Sequence, residues 1–317
     1  MNTFPLGMRN MATKLLPPNN AARKRTSLHL LEQLSDAHLL ERFTLRHSEA
    51  AFAVLVERHG PLVHGVCRRV LQNAQDTEDA FQATFLVLAR KAHTISKHHS
   101  LASWLYKVAY RIALRARANN ARRRTQEKEA IQSAPPPSPA EVAQRELGQL
   151  LDEEVQRLPE KYRAPVLLCY LQGQTNEQAA QQLSCPTGTL KIRLMRARDL
   201  LRKRLSRRGV GLSLAGLSVL FLQQMASAAV PSALVQATVG AATTGGLSAT
   251  VAGLVKGTLT GMCLTKLKVA VALLLTVILG SMADGLSQRA NATAPAELKQ
   301  QQSDPYTPAA PILVVRR

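Results

Sequence analysis

The stretch that most restricts the fold is TNEQAAQQLSCPTGTLKIRLMRARDLLRKRL, residues 175–205. Thr175 and Gln178 have the spacing of a capping box, which predicts that a helix begins after Thr175. This first helix is short and carries small alanines, where another helix can come close. Ser-Cys-Pro then makes a turn, and Pro186 and Thr187 suit the start of a second helix. The stretch therefore predicts two helices joined by a tight turn.

The second helix of this pair separates apolar from basic side chains. Leucine and alanine recur at steps of four, three and four residues, at Leu190, Leu194, Ala197 and Leu201, which places them on one inward side. In a helix-turn-helix, residues near the start of the second helix face base edges in the major groove, and later basic residues contact phosphates. The candidates for base edges are Thr187, Thr189, Lys191 and Arg193, and those for phosphates are Arg196, Arg198, Arg202 and Lys203. The pattern predicts duplex DNA binding.

The charge of the whole chain points to a polyanionic partner. Lys plus Arg number 41 against 21 Asp plus Glu, which gives a formal net charge of +20. The excess is clustered: residues 111–124 hold six arginines and no acid, and residues 191–208 hold nine Lys/Arg and one acid. Because solvated helix faces usually mix signs, such clusters favour nucleic acid first and an anionic membrane surface second.

A second basic helix is predicted in LASWLYKVAYRIALRARANNARRR, residues 101–124. Its apolar positions fall on one side and Lys107, Arg111 and Arg115 on another. Aromatic rings beside guanidinium groups are typical of surfaces that stack unpaired bases. Trp104 and Tyr106 are therefore candidate base contacts, although a single tryptophan such as Trp104 also suits a helical core.

Helical spacing of apolar residues extends from Ser35 to residue 208, so the predicted fold class is all-α. The aromatic content of 4% is low for an all-β fold. Four dispersed cysteines form no CxxC pair and have no Cys/His ligand spacing, so we expect reduced thiols, no metal site and no cofactor. Glu78 and Asp79 are helix neighbours that diverge, which argues against a nuclease or recombinase and, with it, against catalytic residues in this chain.

Two segments together resemble a known family. DTEDAFQATFLVLARKA followed by SLASWLYKVAYRIALRARANNARRR is similar to region two of extracytoplasmic-function sigma factors. LPEKYRAPVLLCYLQGQTNEQAAQQLSCPTGTLKIRLMRARDLLRKRL is similar to their region four. The resemblance spans roughly residues 35–208, in the same order and spacing, without an intervening region-three domain.

The resemblance implies partners and site residues. The DTEDAFQATFL helix would dock on the clamp coiled coil of the largest subunit of bacterial RNA polymerase. That docking face would include Asp76, Glu78, Asp79, Gln82 and Phe85. The HTISKHHS loop and the next helix would hold a flipped base and phosphates of the promoter −10 element, with Ser100, Trp104, Tyr106, Lys107, Arg111 and Arg115. The second helix of the pair would read the −35 element, and the polymerase would supply all covalent chemistry.

The sequence after residue 208 departs from this family. Residues 209–265 are rich in Ala, Gly, Ser and Thr and nearly uncharged, and either pack on the other domains or link them. An apolar stretch, residues 266–286, has about the length that spans a membrane. Lys266 and Lys268 would keep the preceding domains cytoplasmic, with this helix anchored in the inner membrane. A buried hairpin helix and an interfacial helix are the alternatives.

The sequence thus predicts seven segments. They are a disordered basic arm (1–27), a region-two domain (28–124), a Pro-rich linker (125–146), a region-four domain (147–208), the Ala/Gly/Ser/Thr-rich segment (209–265), a membrane helix (266–286) and a polar tail (287–317). The predicted function is an alternative sigma factor. The competing interpretation is a membrane-tethered helix-turn-helix regulator that does not join polymerase. An anti-sigma factor is a further expected partner, which the residues do not identify.

Overall fold

The computed structural model describes residues 29–262, with gaps at 72, 96–99, 127–137, 212 and 227–228, and also Thr276. Every regular element in these described residues is helical, and they contain no strand. This confirms the predicted all-α fold class for that part of the chain. The basic arm and the polar tail lie outside the described residues, as does the centre of the predicted linker.

Four helices form the first bundle. They are α1 (Asp36–Arg46), α2 (Glu49–Val70), α3 (Ala74–Lys91) and α4 (Leu101–Gln126), with a short 3-10 turn at Ala92–Thr94 after α3. Helices α2, α3 and α4 pack against one another, and α1 packs on α2. The core contains Phe52, Phe81 and Phe85, all fully buried, with the rings of Phe81 and Phe85 5.0 Å apart. Apolar spacing within each helix therefore produces one shared core.

Side chains cap these helices at their N-termini, where backbone N–H groups have no partner within the helix. Ser35 accepts a hydrogen bond from the backbone N–H of His38, as its position before α1 predicts. Asn73 caps α3 by accepting from the N–H of Gln75. Asp76 lies in the first turn of α3, where its negative charge faces the positive end of the helix dipole.

Four more helices form the second bundle. They are α5 (Pro139–Gln156), α6 (Glu160–Val166), α7 (Asn176–Gln182) and α8 (Thr187–Arg207), and α6 continues into a π-helical turn at Leu167–Leu171. The predicted capping box between Thr175 and Gln178 is present, with hydrogen bonds in both directions. Helix α5 begins at Pro139, within the segment predicted as linker, because proline fits the first turn of a helix.

The two bundles meet around one buried carboxylate, Asp152 of α5, which is fully buried. Arg69 of α2 binds it with two hydrogen bonds, Nε to Oδ2 at 2.7 Å and Nη2 to Oδ1 at 2.9 Å. The hydroxyl of Tyr106 in α4 donates to Asp152 Oδ1 at 2.7 Å. Burial and then the neighbouring Asp152 raise the pKa of Tyr106 well above its usual value, so this hydroxyl stays a neutral donor.

A second junction joins α1 to the second bundle through Asp36. This carboxylate accepts from Arg58 Nη1 at 2.7 Å and from His59 Nε2 at 3.0 Å, and Gln182 of α7 donates to it at 3.1 Å. The other ring nitrogen of His59 accepts from Gln172 at 2.8 Å. Burial alone raises the pKa of Asp36, but the charges and hydrogen bonds of His59 and Arg58 lower it to about 2.

A third junction is made by Arg163 of α6, which is 3% exposed. Its Nε donates to Ser103 Oγ of α4 at 2.9 Å. Its Nη1 donates to the backbone carbonyls of Gln156 and Leu158 at 2.9 and 2.7 Å. Arg163 therefore satisfies carbonyls at the C-terminal end of α5 while it ties the two bundles together.

The residues after 208 add three helices to these bundles. They are α9 (Leu214–Ala226), α10 (Ser232–Thr244) and α11 (Ala249–Met262). We call them the extension. Helix α10 packs against α2 and α3, and α9 packs against α2, α8 and the π-helical turn. Of the two alternatives for this segment, packing on the other domains is the one observed.

The predicted membrane helix, residues 266–286, lies outside the described residues apart from Thr276. Across the part of the chain that is described, no single helix has both the length and the apolar character needed to cross a membrane. One bent pair, Ser232–Thr244 and Ala249–Met262, passes on length and composition together, with a 67° bend between the two helices.

We predict that Asp152→Ala lowers the free energy of unfolding by about 3–5 kcal/mol, because it leaves the buried Arg69 guanidinium without its partner. Urea unfolding followed by circular dichroism measures this. Glu153→Ala is the matched control, since the neighbouring Glu153 pairs with Arg208 at the surface. A loss no larger than that of the control would contradict the role assigned to Asp152.

We predict that stability falls with pH through Asp36. Its pKa is lowered from 3.8 to about 2 in the folded chain, so its contribution is complete above about pH 5 and disappears as the pH falls towards 2. The loss amounts to about 2 kcal/mol. Thermal unfolding between pH 2 and 5 should show a flatter profile for Asp36→Asn, whereas Glu49→Gln, at an exposed position, should keep the profile of the parent chain.

Candidate nucleic-acid interface

Helix α8 has one buried side and one open side. Leu190, Leu194, Ala197 and Leu201 are buried as their spacing predicts, and Leu205 continues the row. This side packs against α5, α6 and α7. Because the row holds the helix against its own bundle, the opposite side of α8 is free to approach a partner.

The predicted DNA contacts of α8 fall into two groups. Lys191 and Arg196 are exposed on the open side, while Thr187, Thr189 and Arg193 are half-buried along its edges. Arg198 is also half-buried and lies next to Tyr170. Burial raises the pKa of Tyr170, and the positive charge of Arg198 lowers it, which shows how close the two groups are. Arg198 therefore has an internal neighbour in addition to any phosphate it would contact.

The open side of α8 also carries two apolar residues that the sequence analysis did not select. Ile192 and Met195 are each 49% exposed, although both are large hydrophobic residues. They lie one turn apart, beside Arg196 and opposite the buried leucines. Apolar side chains in the major groove contact the thymine methyl group. Their sequence positions could have indicated this exposure, because both residues lie away from the side of the helix that holds Leu190 and Leu194.

Helix α4 has the second predicted DNA surface, and the structure divides its residues. Arg111 and Arg115 are exposed. Ser100 precedes α4, where its hydroxyl accepts from the N–H of Ser103 at 3.4 Å. Lys107 is half-buried and pairs with Glu160 of the second bundle at 3.6 Å. Burial first, and then the charge of Arg163, lower the pKa of Lys107, while Glu160 raises it.

The structure gives the two aromatic candidates of α4, Trp104 and Tyr106, different environments. Tyr106 was predicted to contact bases, but it is fully buried and bound to Asp152. Trp104, for which a core position was an alternative, is half-buried and partly open to solvent. Tyr106 faces inward because α5 supplies a charged acceptor for its hydroxyl. The HTISKHHS loop, predicted to hold a flipped base, has its residues 96–99 outside the described part of the chain.

The predicted polymerase-docking residues lie on α3. Asp76 accepts a hydrogen bond from Asn120 of α4 at 2.6 Å, and Glu78, Asp79 and Gln82 are half-buried. Burial and then repulsion from Asp76 and Glu78 raise the pKa of Asp79, while a hydrogen bond from Gln75 lowers it.

Phe85 departs from the prediction for this docking face. It is fully buried against Phe81, so its ring supports α3 from inside the first bundle and cannot touch a partner in this conformation. Apolar spacing along α3 and its contact with α2 and α4 account for this position.

Two further sequence expectations concern metals and thiols. Among the described residues, no group of three or more His, Cys, Asp or Glu side chains could hold a metal ion. Cys67 is fully buried, and burial raises the pKa of its thiol to about 12, which makes it unreactive. What these surfaces offer is charge and shape for binding.

Two family matches fall on the two bundles. Residues 55–123, from α2 to α4, match the family described as Sigma-70 region 2. Residues 148–201, from α5 to α8, match the family described as Sigma-70, region 4. The extension lies outside both matches.

Several sigma factors are similar to this chain over both matched regions. The ECF RNA polymerase sigma-E factor of Haemophilus influenzae is 26% identical over 187 residues, which cover 56% of this chain and 98% of that protein. The ECF sigma factor SigW of Bacillus subtilis is 26% identical over 167 residues, covering 49% and 89%. Sigma-E of Escherichia coli K12 is 27% identical over 179 residues, covering 53% and 93%.

One solved structure is also similar. It is the sigma factor RpoE of Bartonella quintana in complex with the anti-sigma factor NepR, 20% identical, covering 48% of this chain and 94% of that chain. Its TM-score of 0.24 is too low to show a shared arrangement of the whole chain.

The order of the two regions, their position on the two bundles and the near-complete coverage of these relatives agree with one another. The chain belongs to the extracytoplasmic-function sigma factors, and it carries an extension beyond their second conserved region.

Proposed function

We propose that this chain directs bacterial core RNA polymerase to specific promoters and helps to open the −10 region. The observation that carries the proposal is that two helices with exposed basic residues, α4 and α8, lie on separate bundles of one chain. Each presents exposed basic residues, Arg111 on α4 and Lys191 and Arg196 on α8. The chain contributes binding, and the polymerase contributes the covalent chemistry.

Helix α8 would read the −35 element as duplex DNA. A helix fits the major groove with its early residues at the base edges, and the open side of α8 supplies Lys191 there. Ile192 and Met195 would meet thymine methyl groups, and Arg196 would hold a phosphate. Since phosphate contacts release counterions, binding should weaken steeply with salt, with a log–log slope of about −0.9 for each contact.

Helix α4 would hold the −10 element after the strands separate. Extruding a base costs on the order of a few kcal/mol of stacking and pairing. A protein lowers this cost when it binds the open DNA better than the closed duplex. The partly exposed ring of Trp104 can stack on an unpaired base, and Arg111 and Arg115 can hold the backbone.

The acidic face of α3 would dock on the polymerase. Asp76, Glu78 and Asp79 lie near the start of this helix and give it negative charge in an otherwise basic chain. Opposite charge on a partner surface would both accelerate association and orient the complex. Phe85 would act indirectly, because it is buried beneath this face.

A regulator that binds DNA without polymerase is the weaker alternative. It would use α8, but it would have no use for a first bundle that matches the polymerase-associated region of sigma factors. An anti-sigma partner and membrane attachment through residues 266–286 stay predictions.

The decisive experiment is transcription from fragmented genomic DNA by bacterial core polymerase with and without the full chain, with transcript 5′ ends sequenced. We expect new start sites that share a −10 and a −35 element. Asp79→Arg should lower the affinity for core polymerase at least about tenfold, since it reverses a charge on the docking face.

Glu49→Arg is the matched control for this experiment, because it makes the same charge change at an exposed position on α2. It should leave polymerase affinity unchanged. If the full chain and all variants leave the pattern of start sites as core polymerase alone gives it, the proposed function is wrong.

We predict that Lys191→Ala weakens binding to duplex −35 fragments and makes the log–log salt slope shallower by about 1, while core polymerase binding is unchanged. Fluorescence anisotropy at several salt concentrations measures both values. Lys161→Ala, an exposed lysine on α6, is the control and should keep affinity and slope. Equal loss of duplex and polymerase binding in Lys191→Ala would count against the assignment of α8.

A further inference from the structure

We infer that the extension is an intramolecular inhibitor, whose helix α10 packs on the proposed polymerase-docking helix α3 and whose helix α11 reaches Arg115 of α4. The inference rests on the proposed function, since it concerns access to the same surfaces. It assigns a role to a segment that lies outside both family matches.

Helix α10 covers the docking helix α3. Residues 83–88 of α3 are all buried, and six consecutive residues run more than once around a helix. Neighbours must therefore surround α3 here, and the helices that pack on α3 include α2, α4 and α10. Helices α2 and α4 belong to the first bundle itself, so α10 completes the enclosure with its buried residues Leu234, Thr238 and Val239.

The chain just before α10 also fits closely against the first bundle. A β-carbon built on Gly60 of α2 would lie 3.5 Å from Val230 Cγ2 and 3.6 Å from the ring of Phe81. Val230 is thus in van der Waals range of both α2 and the core ring beneath α3. The contact between the extension and the first bundle is consequently close-packed at this point.

Helix α9 faces the acidic start of α3 across a cleft of about 540 Å³. Glu78, Thr77 and His64 line one wall, and Leu220 and Gln224 of α9 line the other. Gln224 is only 7% exposed, yet within the described part of the chain neither atom of its amide has a hydrogen-bond partner. A buried unpaired amide weakens this contact, which suits a contact that must be released.

Helix α11 approaches the basic surface of α4 at Arg115. A β-carbon built on Gly257 would lie 2.2 Å from Arg115 Cζ and 2.5 Å from its Nη2. The guanidinium group of Arg115 therefore lies close to the backbone of α11 at Gly257, although the Arg115 side chain stays exposed overall. Arg115 is one of the groups proposed to hold the −10 backbone, so DNA and α11 compete for it.

The other end of α4 is covered by the second bundle. Ser103, Tyr106 and Lys107 contact Arg163, Asp152 and Glu160 respectively. Contacts within the chain thus occupy the start of the proposed −10 surface and reach Arg115, while Arg111 stays exposed. The conformation described is closed over the start of α4 and over α3, whereas α8 keeps an open side.

The closed conformation would weaken polymerase binding by lowering the fraction of molecules in the open form. When only the open form binds polymerase, the apparent dissociation constant is the intrinsic value divided by the fraction of open molecules. A substitution that detaches the extension raises this fraction and tightens apparent binding. The apparent affinity can rise at most by the factor by which closure reduces the open fraction in the parent chain.

The test uses Leu234→Asp in the full chain, because a charge at this buried position of α10 detaches the helix from α2 and α3. We expect core polymerase to bind at least about tenfold more tightly, with more transcript from the chain's own promoters. Ala237→Asp introduces the same charge at an exposed position of the same helix and should behave like the parent chain. Limited proteolysis reports release of the extension.

A disulfide cross-link that holds the extension on the first bundle tests whether a fixed extension blocks polymerase binding. Gly60→Cys with Val230→Cys places two thiols within reach of a disulfide, in a chain whose accessible native cysteines are replaced by serine. Oxidation should abolish polymerase binding, and reduction should restore it, while the single-cysteine chains respond to neither treatment.

Failure of the inhibitor inference and failure of the proposed function give different results. If proteolysis shows a released extension in Leu234→Asp but polymerase affinity is unchanged, or if the cross-linked chain binds as well as the reduced chain, the extension is not an inhibitor. If neither released nor locked chains bind polymerase or start transcription, the proposed function itself fails.

Discussion

The carboxylate of Asp152 is the interaction on which the arrangement of this molecule depends, since it is fully buried where the two bundles meet. Removing a carboxylate and a guanidinium from water is costly, and their attraction repays that cost only when the geometry is good and the remaining lone pairs are satisfied. Here Arg69 binds both oxygens, and Tyr106 supplies a third hydrogen bond. Because the three residues come from α2, α4 and α5, the pair makes the bundles interdependent.

The basic residues of the chain fall into two groups, those paired with acids or carbonyls inside the protein and those exposed at its surface. Arg69 and Arg163 are used inside the protein, and Arg204 and Arg208 bind the buried Glu154 between α5 and α8. A net charge of +20 therefore overstates what is offered to nucleic acid. Among the described residues, the exposed basic side chains include Arg111 on α4 and Lys191 and Arg196 on α8.

The two helices proposed to bind DNA differ in how accessible they are in this conformation. Helix α8 rests on its own bundle and leaves its opposite side open. Helix α4 is held between the second bundle at Ser103 and Tyr106 and the extension at Arg115. If the proposed roles hold, α8 would read a duplex without rearrangement, whereas use of the start of α4 would require contacts within the chain to break. Surfaces that exchange an internal partner for an external one are a common basis for switching.

Local features of this protein were predictable from the sequence because they depend on neighbours within one or two helical turns. The all-α class, the capping box at Thr175 and Gln178, the inward row beginning at Leu190 and the basic side of α8 are all of this kind. The tertiary structure alone decided that Tyr106 is buried while Trp104 is partly exposed, that Arg198 turns to Tyr170, and that the extension packs on α2, α3 and α4. In each of these cases the deciding partner lies tens of residues away along the chain, and periodicity carries no information about which distant group supplies a hydrogen bond or covers a helix face.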